Sequence, residues 1–76
     1  MEVHAAIAAE VRAEMGRQNK NRSDLAEALG VTVATAGRKF SGETEYGLTE
    51  LVQVASWLGV SAAQIWAAAT SERAAS

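Results

Sequence analysis

Val3, Ile7, Val11 and Met15 recur every four residues, the spacing of a single stripe on an amphipathic helix. Ala5, Ala6, Ala8 and Ala9 add propensity around that stripe. The pattern predicts a first helix over residues 3–18, weakened at its end by Gly16 and Asn19. Asn21 is a good N-cap, and Asp24 three residues on makes an acidic variant of the capping box. A short second helix over 22–29 then turns Leu25, Ala26 and Leu29 inward, and Gly30 ends it. Thr32 caps a third helix over 33–39 or 40, whose inner face is Ala36 and Phe40, with Val31 filling the turn between the two helices. Gly37 lowers the propensity of this helix by about 1 kcal/mol.

The segment SGETEYG at 41–47 is polar, with two glycines, and reads as a loop. Gly47 can cap a fourth helix with Glu50 at its third position, while Tyr46 before the cap packs on Leu51 as a staple. Its predicted buried stripe is Leu48, Leu51, Ala55 and Leu58, with Val52 and Trp57 partly covered and Gly59 closing it. The fifth helix has the clearest start: Ser61 and Gln64 form a capping box, and Val60 and Ile65 stand in the staple positions. It continues through IWAAATSERA and frays toward Ser76. One domain spanning residues 1–76 is expected, with its core at about residues 5–70.

Composition supports an all-α fold. Of 37 apolar residues 17 are alanine, and the chain has no proline. The absence of cysteine excludes disulfides and thiol-ligated zinc. A single histidine, His4, excludes a His-rich metal site, so no metal or cofactor is expected. No run of 18 apolar residues exists and the N-terminal stretch lacks the basic start of a signal peptide, so a cytoplasmic protein without a membrane segment is expected. Asp24 and Glu27 lie three apart with no His, Cys or phosphate loop near them, which gives catalysis and a small-molecule substrate little to stand on.

The formal net charge is -2, but the charge is unevenly spread. Residues 12–39 hold Arg12, Arg17, Lys20, Arg22, Arg38 and Lys39 against Glu14, Asp24 and Glu27; residues 40–76 hold four acids against Arg73. Six of the seven cations thus fall in one stretch, which points to a polyanion partner. A helix, a turn of three residues containing Gly, and a second helix are also the signature of a helix-turn-helix, whose second helix enters the DNA major groove. The residue types fit that geometry: Ala26 and Ala36 are small where the helices cross, Gly30 reverses the backbone, Val31 plugs the corner and Thr32 caps the second helix.

The run DLAEALGVTVATAGRKFSG at 24–42, followed by YGLTELVQVASWLGVS at 46–61, resembles the Cro and phage-repressor (XRE) family of DNA-binding domains. The resemblance covers roughly residues 7–66. It implies a five-helix lambda-repressor-like domain with the helix-turn-helix in helices 2 and 3. The implied function is a sequence-specific transcription regulator, a phage or prophage repressor or Cro-like protein acting by operator occupancy. Departures from the family pattern are Arg22 where Gln is usual, Val33 for a base-reading Gln, Gly37 for Ser, Lys20 for a hydrophobic residue and Glu14 for a core Leu. Val33 and Ala34 could read only thymine methyls.

The residues expected to read bases are therefore Val33, Ala34, Gly37 and Arg38. Those expected at phosphates are Arg17, Lys20, Asn21, Arg22, Thr35, Lys39, Ser41 and Gly42, the last two through backbone N–H groups. Trp66, if exposed on the alanine-rich fifth helix, is a candidate homodimer contact, and two copies on a two-fold axis would match a palindromic double-stranded DNA operator. Two other readings stand beside this one: an antitoxin-like or helical protein-interaction module, and the DNA-binding half of a longer repressor. An apolar exposed surface away from the second helix of the motif would favour a protein partner.

Overall fold

The computed structural model describes the backbone of residues 3–75 and the side chains of residues 3–71. The frayed end expected at Ser76 lies outside the described residues. Five helices follow one another: α1 (Val3–Arg17), α2 (Arg22–Leu29), α3 (Val33–Ser41), α4 (Leu48–Leu58) and α5 (Ala62–Ala75). Each short helix is fixed at its ends by the residues that the sequence pattern singles out. Asp24 N–H donates to Asn21 Oδ1 at 3.0 Å while Asn21 N–H donates to Asp24 Oδ2 at 2.9 Å. The same reciprocal pair joins Ser61 and Gln64 at 2.7 and 3.0 Å. Thr32 Oγ1 accepts the Thr35 N–H at 3.2 Å.

The corner between α2 and α3 depends on Gly30, whose φ of 68° lies in the left-handed region that costs glycine little. That reversal lets Val31 N–H return to the Ala26 carbonyl at 3.0 Å. Ala26 and Ala36 are both buried, so the two helices meet through small side chains. α2 packs on α3 and α4; α1 packs chiefly on α5 and also reaches α3 and α4. Val11, Met15, Leu25 and Val54 are the largest fully buried side chains, around which Ile7, Leu51, Leu58 and Ile65 close the core.

Three expectations change. α1 ends at Arg17, one residue early, because Asn19 takes φ of 56° and turns the chain. α3 runs on to Ser41, since the reversal comes at Gly42, with φ of 89°. On α4, Leu48 is 80% exposed, whereas Val54 is fully buried; Val52, at 51% exposed, is partly covered as expected. Helical geometry explains the last point: at 100° per residue Leu51, Val54, Ala55 and Leu58 occupy an arc of about 100°, and Leu48 falls about 20° outside it.

Candidate nucleic-acid interface

On α3 the side toward the molecule carries Ala36, Lys39 and the half-buried Phe40; Val33, Ala34, Arg38 and Ser41 are exposed. The structure therefore brings Val33, Ala34 and Arg38 onto one outward strip. Thr35 borders it, its hydroxyl accepting from Arg38 Nη2 at 3.4 Å and from Thr32 Oγ1 at 3.0 Å. Arg22, at the first position of α2, borders the other edge. Its guanidinium carbon stands 5.6 Å from the centroid of the Phe40 ring, and a Cβ placed on Gly37 would lie 3.6 Å from its Cδ. The strip is thus apolar along its middle and flanked by two guanidinium groups.

Lys39 is the main correction among the predicted phosphate contacts. It is 7% exposed, and its ammonium donates to Glu50 Oε1 at 2.8 Å and to the Glu45 carbonyl at 3.2 Å. Glu50 Oε1 also accepts the Gly47 N–H at 2.9 Å, capping α4. Those bonds, Lys39 first, hold the Glu50 carboxyl below its ordinary range. The ammonium is spent inside the fold, fastening the end of α3 to the start of α4. No local sequence signal marks this role, because the partner lies eleven residues on in another helix.

Ser41 and Gly42 are corrected too. Gly42 N–H donates to the Arg38 and Lys39 carbonyls, and Ser41 Oγ donates to Arg38 O at 3.1 Å. Glu43 and Thr44 N–H groups return to the same Arg38 carbonyl at 2.9 and 3.1 Å. A helix C-terminus presents carbonyls, and the donors that follow it are consumed in satisfying them.

Arg17 and Lys20 are not gathered with the α3 cations. Arg17 pairs with Glu14 at 2.8 Å beside the groove that α1 makes with Gln64 and Ala68 of α5. Hydrogen bonds from Arg17 and then Gln18 lower the Glu14 carboxyl. Lys20 Nζ lies 4.8 Å from the Trp57 ring, over the groove between α2 and α4. Asn21 is exposed, with its side-chain oxygen committed to the α2 cap.

Several supports have no counterpart in the predicted set. Arg12 Nη1 donates to the Phe40 carbonyl at 2.7 Å, tying α1 to the last turn of α3. His4 Nε2 meets Glu45 Oε2 at 2.7 Å, and Gln18 Nε2 reaches the Leu58 carbonyl at 2.8 Å. The Tyr46 hydroxyl is buried without a hydrogen bond to the protein, and burial pushes its phenol up to about 12 despite the nearby Arg12 charge. Among the described residues no group of three His, Cys, Asp or Glu could hold a metal ion, and no single helix is long and apolar enough to cross a membrane.

The BetR domain profile matches residues 2–76. The chain belongs to the BetR domain family. Its fold is similar to that in the crystal structure of the clp gene regulator ClgR from Corynebacterium glutamicum, with a TM-score of 0.87 at 24% identity. That match covers 97% of this chain and 79% of ClgR. A search of curated proteins found no match. This BetR domain has the five-helix helix-turn-helix fold that the resemblance to Cro and phage repressors implies, although the matching family model is BetR and not Cro itself.

Proposed function

We propose that this domain is a sequence-specific regulator of transcription that binds double-stranded DNA and acts by occupying an operator in the cytoplasm. The observation that carries the reading is the outward strip of α3, where Val33, Ala34 and Arg38 are exposed on the second helix of a helix-turn-helix while Arg22 lies at its edge. Arg38 reads a guanine edge or holds a phosphate. Val33 and Ala34 contact thymine methyls; Arg22, Asn21 and Thr35 serve the backbone. The domain is a binding module, not an enzyme. The shared fold with ClgR, a regulator of the clp gene, supports the same functional class.

One copy touches few phosphates, so the reading includes a homodimer on a palindromic site with half-sites about 34 Å apart. Trp66 is 50% exposed on α5, which favours a contact there. Exposed Leu48 and Val52 on α4 favour the second reading, an antitoxin-like or helical protein-interaction module whose main partner is another protein. Selection of bound duplexes from a random library tests the central reading: enrichment of a defined motif is expected, and no enrichment at low salt would overturn it. Sedimentation of the free protein and of the complex at tens of micromolar tests the dimer; a monomer in both would remove it.

A further inference from the structure

Gly37, expected from sequence among the base readers, is half-buried on the flank of α3, in a helix where a glycine weakens the backbone. The space beside it admits a methyl group at ordinary contact distance but leaves no room for a longer side chain without displacing Arg22. A Cβ at position 37 would meet Arg22 Cδ at 3.6 Å and Arg22 Nη1 at 3.8 Å, and no other side chain within 4 Å. The arginine therefore leaves the first turn of α2 and reaches the flank of α3, about one methyl group away from the Gly37 backbone. Its guanidinium stands over the Phe40 ring, one turn further on. The hydrogen bond from Arg12 to the Phe40 carbonyl anchors the residue that carries that ring.

We infer that Gly37 and Phe40 form a seat that positions Arg22 on the recognition strip, so that the residue at 37 governs a DNA contact made from another helix. The inference rests on the DNA-binding reading above. An arginine on an exposed helix start samples many rotamers, and ordering it on binding reduces affinity. Holding it beside the α3 flank and over an aromatic face restricts those rotamers before DNA arrives. The seat also sets direction. Arg22 and Arg38 approach the Val33–Ala34 strip from opposite edges, so the spacing of the two positive charges across the groove is fixed by α3 itself. A methyl group at 37 would make ordinary contact with the arginine, whereas a longer side chain would occupy the space its stem uses.

The test pairs variants at 37 with Arg22→Ala, using the duplex pool enriched by the wild-type domain. Gly37→Ala is expected to keep Arg22 in contact with α3 and to melt higher, since alanine favours the helix. Gly37→Leu is expected to lose about 3- to 10-fold, the cost of an unseated side chain, and to lose nothing further when Arg22 is already alanine. Circular dichroism verifies that each variant folds, and Phe40→Leu gives an independent route to the same loss. Nuclear Overhauser contacts between the Arg22 δ protons and the Gly37 α protons report the seat without DNA. Their absence would overturn the inference. So would an equal Gly37→Leu loss in both backgrounds, which would mean that leucine collides with DNA directly. A wild-type domain that binds no duplex would instead overturn the functional reading and this inference with it, even where the proton contacts are present.

Discussion

Residues 12–39 and residues 47–71 are both helical and both contribute to the core, yet they treat charge in opposite ways. The first stretch exposes Arg22 and Arg38 beside an apolar strip. The second contains one charged residue, Glu50, and its carboxylate is occupied by Lys39 and the Gly47 N–H. Its outer surface is instead Leu48, Val52, Trp66, alanines, and neutral polar groups. A surface with free cations can gain from releasing the counterions of a polyanion; an uncharged one with exposed apolar groups gains only from losing water. The division between DNA and protein contacts therefore follows where the charges remain free, not the net charge of -2.

The comparison can be broken first in the core. Leu51→Ala should destabilise by about 2–5 kcal/mol, a large fraction of what so small a domain has, read as a fall in the thermal midpoint. Next comes the division between neighbouring cations. Arg38→Ala should weaken the selected duplex by about 1–3 kcal/mol with little change in stability. Lys39→Met should lower stability by about 1–2 kcal/mol while leaving the salt slope of DNA binding unchanged, because its ammonium releases no counterion. A reduced slope for Lys39→Met in binding titrations would show that the ammonium reaches phosphate after all.

Acid sharpens the same contrast. The Glu50 carboxyl is lowered in the folded protein, so its contribution is complete above the ordinary value of 4.5 and is lost as pH falls through the depressed one. Denaturation monitored between pH 5 and pH 3 should show a weaker pH dependence for Glu50→Gln than for wild type. The smallest effect is expected for Leu48→Ala, within about 0.5 kcal/mol by the same melt. A loss comparable to that of Leu51→Ala would mean that Leu48 is covered in solution by a second chain.

The parts legible in sequence are those set by local chemistry. Asn21 with Asp24, Thr32, and Ser61 with Gln64 fix their helix starts through groups three residues apart, so spacing alone reveals them. Gly30 and the small pair Ala26 and Ala36 mark the corner for the same reason. The α3 strip was legible because burial of Ala36 dictates which residues face outward. What was not legible depends on contacts distant in sequence. Lys39 reads as one more surface cation until Glu50, eleven residues on, comes within reach. The stripe on α4 lies a few tens of degrees from where its sequence pattern points, because the arc that is buried depends on where α1, α2 and α5 lie against it. Arg12 could not be assigned at all from its neighbours, since its partner is a backbone carbonyl 28 residues away.

That last bond has a consequence for protein engineering. The helix-turn-helix looks portable, but the final turn of its second helix is fastened by an arginine from outside the motif, and Gly42 lies against Ala8 of the same outside helix. A graft of residues 21–42 onto another scaffold would carry every base-facing side chain and still leave the far end of the helix without its fastening. The smallest transferable piece must bring the opening helix with it.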